Sequence, residues 1–145
     1  VRHFCVSHRG LRLLAARLFV YVHLVRDATV TPGKLPLVIY QGATWKRVVR
    51  LSGRTGPIDL TGATARMMIR ERIDDAATII TLNEDNARAV ISDEENGEIT
   101  LMIADEDTAA LNFASGVYDL EIEYSNGTVD RVLYAAVKLS KEFTR

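Results

Sequence analysis

One cysteine, one tryptophan and three prolines are spread over 145 residues, and each scarcity removes a possibility. Cys5 has no partner in the chain, so no disulfide framework holds the fold and the redox compartment is left open. The three histidines, His3, His8 and His23, all precede residue 24. Beyond that point a Ser-His-Asp or Cys-His nucleophile and the usual zinc ligand sets are excluded. No glycine-rich phosphate loop is present. Apolar runs are short: Arg17 and His23 interrupt the stretch Leu11 to Val25, which falls below the roughly 20 residues that a membrane span needs.

What is present is an ordinary globular composition, 48% hydrophobic and 26% charged, which disfavours disorder and membrane classes for the chain as a whole. The length suits one domain that buries a core without metal or covalent staples. The net charge of -1 hides an asymmetry. Residues 1–34 carry six basic groups against Asp27 alone, whereas the remainder carries twelve basic and eighteen acidic groups. That split indicates two segments of different task. An acidic main body repels nucleic acid.

Three readings of residues 1–34 stand. Arginines ahead of an apolar run resemble a secretory signal, but no small-x-small cleavage site follows. A membrane-surface or partner-binding helix would want its arginines on one stripe, yet Arg12 and Arg17 lie about 140° apart on a helix. The opening Val fits a start assigned too far upstream, under which residues 1–34 are a basic, apolar and poorly ordered extension. Thr31-Pro32-Gly33-Lys34-Leu35-Pro36 punctuates the boundary. The folded domain is therefore expected over residues 35–145.

From Leu35 onward the hydrophobic period is two. Strands are expected at Leu37–Tyr40, Thr44–Leu51, Ala65–Arg70, Thr78–Leu82, Ala87–Ile91, Glu98–Ile103, Gly116–Tyr124 and Val129–Leu139. Trp45, Ala65, Met67, Ile69, Ile99, Leu101, Ile103, Tyr118, Leu120, Ile122 and Tyr124 fall on inward positions. Asn96-Gly97 and Asn126-Gly127 are tight-turn signals, and Ile58-Asp59-Leu60-Thr61-Gly62 has the chemistry of a corner. Asp105-Glu106-Asp107 ahead of Ala109-Ala110 suits a short helix near residues 105–111, because carboxylates favour the positive end of the helix dipole. The fold class is all-β, an immunoglobulin-like antiparallel sandwich of about seven strands with one short helix.

Candidate chemistry is sparse. Asp74-Asp75, Asp93-Glu94-Glu95 and Asp105-Glu106-Asp107 could jointly hold calcium, though none has the spacing of an EF-hand; solvated loop charges are the plainer account. Trp45 reads as a core anchor more readily than as a sugar platform. Arg66, Arg70, Arg72 and Arg131 sit among Glu71 and Asp130 and suggest cross-strand ion pairs. No catalytic, cofactor or metal residue is assigned.

In order and spacing, Tyr40-Gln-Gly-Ala-Thr-Trp45, Ile58-Asp-Leu-Thr-Gly62, Ala65-Arg-Met-Met-Ile-Arg70, Gly116-Val-Tyr-Asp-Leu-Glu121 and the Val137-Lys-Leu-Ser140 ending resemble a family of small structural proteins of tailed bacteriophages and prophages. The resemblance also extends to the immunoglobulin-like amino-terminal domain of phage upper-baseplate proteins. It implies a virion component associated with tail or baseplate, assembled in the host cytoplasm. Such a component acts through contact with other virion proteins and with its own copies, without catalysis, cofactor, nucleic acid or membrane. The alternative class is a carbohydrate-binding or adhesion module.

Overall fold

The structure, a computed structural model, describes residues 19–23 and 31–143. Strands β1 (Phe19–His23), β4 (Trp45–Gly53), β5 (Gly56–Pro57), β8 (Ala89–Asp93) and β9 (Glu98–Ile103) form one sheet, in the order β1-β4-β9-β8 with β5 paired to β4. The second sheet contains β2 (Gly33–Lys34), β3 (Leu37–Tyr40), β6 (Thr64–Arg70), β7 (Ile80–Leu82), β10 (Ser115–Glu123) and β11 (Val129–Ser140). Its order is β2-β11-β10-β6-β7, with β3 also on β11. Helix α1 (Asp105–Ala110) carries the chain from β9 to β10. The expected sandwich and its short helix are both present.

The topology is that of an immunoglobulin domain. β4, β9 and β8 take the places of strands B, E and D, and β11, β10 and β6 those of G, F and C. β3 lies parallel to β11, with Leu37 opposite Val137 and Ile39 opposite Leu139. The strands beyond the expected set are short: β1 pairs with β4 in parallel, Phe19 beside Val48 through His23 beside Ser52, and β2 pairs with β11 at Leu133 and Tyr134. Strands thus come from both sides of Leu35. Residues 1–18 and 24–30, with His3, Cys5 and His8 among them, lie outside the described residues.

Alternation decides the interior. In β6 and β10, Ala65, Met67, Ile69, Tyr118, Leu120 and Ile122 are buried while their sequence neighbours face out. Val49, Leu51, Ile99, Leu101 and Ile103 supply the facing layer. Fully burying each aliphatic side chain contributes about 1.5–3 kcal/mol against the entropy of ordering the chain.

Local chemistry sets the corners. Asp59 Oδ1 accepts from the Thr61 N–H at 2.8 Å and from its hydroxyl at 2.6 Å, fixing the bend between the buried Ile58 and Leu60. β8 starts at Ala89, two residues later than expected. Asn83 and Asn86 bond each other's backbone N–H groups with their side-chain oxygens, and Ala87 adopts a φ of 55°, so the turn extends past the start of the apolar run. The helix begins without a side-chain cap, and three carboxylates occupy its first turn. Thr108, fully buried, anchors it: its Oγ1 lies 2.9 Å from the carbonyl of Ala43 in the β3–β4 turn.

Gly97 and Gly127 have φ of +64° and +81° in the two hairpins expected from Asn-Gly, but their surroundings differ. A Cβ at Gly97 would stand 2.6 Å from the Ile58 carbonyl oxygen and 2.7 Å from that of Leu51, whereas at Gly127 nothing lies within 4 Å. In urea denaturation Gly127→Ala should lose about 1 kcal/mol, the left-handed backbone cost alone. Gly97→Ala should lose clearly more, about 2–3 kcal/mol. Equal losses would refute the close packing of the β8–β9 turn on β4.

Candidate functional site

Trp45 opens β4 and points inward. It is 4% exposed, and its Nε1–H donates to the Val38 carbonyl on β3 at 3.1 Å. The indole therefore ties the two sheets together and presents no stacking face to solvent. The core-anchor reading holds, and the sugar-platform reading loses its residue.

One carboxylate of each acidic cluster has a nearby partner. Asp75 accepts the Arg72 N–H at 3.1 Å. Asp93 accepts both the backbone and the side-chain N–H of Asn96, at 3.2 and 2.8 Å. Asp107 pairs with Arg88 at 2.6 Å. Among the described residues no group of three or more metal-ligating side chains converges, so the three clusters do not combine into a calcium site. The Thr61 hydroxyl, followed by its N–H, holds the Asp59 carboxyl below its ordinary range; Asp59 is a corner residue.

The arginines divide. Arg66 on β6 and Glu121 on β10 stand opposite each other in register and pair at 2.7 Å; that hydrogen bond holds the guanidinium still more firmly in its charged form. Arg131 lies 3.4 Å from Asp119. Arg70 instead donates to the Asp75 and Ala76 carbonyls, closing the loop after β6. The expected cross-strand pairs are there for Arg66 and Arg131. At exposed positions each is worth at most about 1 kcal/mol.

A cleft of about 240 Å³ lies beside the Arg66–Glu121 pair, lined by Thr64, Asn83, Glu84, Asp85 and Glu123 among others. It is smaller and more polar than the apolar pockets that take small organic ligands.

The outer face of the six-stranded sheet is more telling. Register places Ala136, Val117 and Arg70 in one row, and Lys34, Tyr134, Asp119 and Met68 in the next. Val38 lies beside Lys138 at the margin. Val38 and Tyr134 are each 38% exposed and Tyr40 61%. The Lys34 ammonium stands 5.4 Å from the Tyr134 ring centre, a cation–π contact at the rim. Apolar side chains interleaved with Asp119 and flanked by Lys34, Arg70 and Lys138 make a mixed surface of the kind that protein contacts use. Of these outward residues the alternation in Ala65–Arg70 indicates Met68 and Arg70; it does not reach Val117, Tyr134, Ala136 or Val38. The signal available was Leu37-Val38-Ile39-Tyr40, apolar on both faces of a strand, which indicates that both faces are covered.

Tyr118 carries the most buried ionisable hydroxyl described. Its O–H donates to the Leu35 carbonyl at 2.6 Å, reaching back across 83 positions to the residues just before β3. This bond secures the entry of the chain onto β11, and burial raises the hydroxyl's pKa well above its ordinary value of 10.0.

No family model and no curated protein matches the sequence. Among solved structures, the N-terminal domain of phage TP901-1 ORF48 is 11% identical, with 85% of this chain and 98% of that one covered and a TM-score of 0.48. Extracellular domains 3–5 of Drosophila OTK are 13% identical, with 79% and 36% covered and a TM-score of 0.36. The bradyzoite-specific antigen BSR4 of Toxoplasma gondii is 9% identical, with 90% and 51% covered and a TM-score of 0.37. With TM-scores below one half and identities near one in ten, none of the three assigns this chain a family or an activity.

Two outcomes check the site. Because the folded-state pKa of Tyr118 is raised, its contribution is complete below pH 10 and declines as pH climbs toward the folded value. Tyr118→Phe should lose about 1 kcal/mol at neutral pH and flatten the alkaline fall in stability. An unchanged alkaline limb would show that Tyr118 ionises freely. The tryptophan emission should be blue-shifted, resist quenching by acrylamide and stay constant across a glycan panel; a glycan-dependent shift would restore the platform reading.

Proposed function

We propose that this chain is a structural protein of a tailed-phage virion, associated with the tail or baseplate and working by protein–protein assembly without catalysis. The observation that carries this reading is the mixed apolar surface built by Val38, Tyr134, Ala136, Val117 and Met68 on the outer face of the six-stranded sheet. Apolar side chains gathered on a sheet face, with Asp119 between Tyr134 and Met68 and with Lys34, Lys138 and Arg70 beside them, suit contact with another protein. The ordered resemblance of the strand and corner motifs to phage structural proteins supplies the setting. The carbohydrate-binding alternative has no observation in its favour, as Trp45 is interior.

The test is the protein content of phage particles purified from the source strain. The chain should co-purify with them at fixed stoichiometry. A version carrying Val117→Glu and Tyr134→Glu should fold with nearly unchanged stability and be excluded. Particles that lack the wild-type chain would overturn the virion assignment, and normal uptake of the double variant would overturn the role of this face.

A further inference from the structure

Both Asn-Gly hairpins hold the parts of an intramolecular reaction, because the glycine nitrogen follows directly on the asparagine and no side chain on the glycine shields it. Their surroundings decide whether the reaction can run. In the β8–β9 turn the Asn96 amide is drawn backward: its Nδ2 donates to Asp93 Oδ2 at 2.8 Å, and its backbone N–H donates to Asp93 Oδ1 at 3.2 Å. Gly97 is buried. Its carbonyl accepts the Leu51 N–H at 2.9 Å, and the Glu94 carbonyl accepts the Leu60 N–H at 2.9 Å. The turn is thereby fastened to β4 and to the corner at Leu60.

The β10–β11 turn is arranged the other way. Ser125, Asn126, Gly127, Thr128 and Val129 are all exposed, and a Cβ on Gly127 meets nothing within 4 Å. Asn126 Oδ1 accepts the Thr128 N–H at 2.9 Å, which turns the side-chain amide forward and closes a ring that contains the Gly127 nitrogen. The same bond polarises the amide carbon toward attack. Among the described residues, the bonds of Asn126, Gly127 and Thr128 stay inside the hairpin: the Gly127 N–H donates to the Tyr124 carbonyl at 2.8 Å, and the Thr128 carbonyl accepts the Tyr124 N–H at 2.9 Å. Attack requires the Gly127 N–H to leave the Tyr124 carbonyl, and an exposed turn tip opens far more often than a turn fastened to the body of the fold.

We propose that Asn126 is a site of spontaneous backbone modification, converting to aspartate and isoaspartate, while Asn96 is protected by its packing. The Gly127 nitrogen forms a bond to Asn126 Cγ; the bond from Cγ to Nδ2 breaks, and Nδ2 leaves as ammonia with the proton given up by the Gly127 nitrogen. Water then adds to the cyclic imide and opens either of its C–N bonds, with no change of oxidation state. One opening gives aspartate. The other gives isoaspartate, in which the main chain runs through the former side-chain carbons and is one atom longer. Glu123 faces Val129 on the last rung of this ladder, so the longer connection loosens the pairing there and places a new negative charge between Glu123 and Asp130 in the chain. The reaction is independent of the assembly role.

The experiment ages the full-length chain in mildly alkaline buffer, which favours loss of the amide proton, and follows the two Asn-Gly peptides by mass spectrometry, with isoaspartate identified by enzymatic methylation. In the folded protein Asn126 should convert at least about tenfold faster than Asn96, since freeing Asn96 also requires the Leu51 and Leu60 bonds to break. In concentrated urea, where only the shared Asn-Gly sequence counts, the two should convert at similar rates. Equal rates in the folded chain, a faster Asn96, or the same preference in urea would overturn the proposal. Hydrogen exchange of the Tyr124 N–H is the second measurement. It should quicken in the isoaspartate fraction, and unchanged exchange there would overturn the loosening of the hairpin.

Discussion

Two aliphatic layers, set facing each other by strict alternation along the strands, hold this molecule without covalent or metal support among the described residues. Because the side-chain period of a strand is two, a slip of one residue in β10 would send Leu120 and Ile122 to solvent and bring Glu121 and Glu123 inside. Burying one such carboxylate costs far more than the pairing could return. The register is therefore enforced along the whole length of the central strands, and the remaining features follow from it. The outward residues are fixed in rows, Arg66 meets Glu121, and Tyr134 stands between Lys34 and Asp119.

Polar bonds that cross between distant segments add direction to this non-directional core. The Trp45 indole links β4 to β3, Thr108 links the helix to the β3–β4 turn, and the Tyr118 hydroxyl links β10 to Leu35. Each is buried or partly so, and among the described residues no buried side-chain nitrogen or oxygen lacks a partner. A buried polar group left alone costs about 1–3 kcal/mol, so these three bonds discriminate against alternative packings more than they add to total stability. The Trp45 bond has a second effect, since the carbonyl it occupies would otherwise be available to an approaching strand.

Much of the fold is legible in the residues, and the reasons are local. Asn96-Gly97 and Asn126-Gly127 mark hairpins because glycine reaches positive φ at low cost. β9 spans Glu98–Ile103 as the alternation of Ile99, Leu101 and Ile103 requires, and three carboxylates before two alanines announce α1. What escapes is non-local. β1 and β2 are short pieces whose pairing depends on partners far along the chain, and β5, a two-residue bridge folded back on Ser52 and Gly53, has no periodicity to read. The contact face escapes for a different reason: alternation identifies which side of a strand faces inward, but which outward residues form a common patch depends on the register between strands. Ala136 and Val117 are nineteen positions apart and become neighbours only through the β10–β11 ladder.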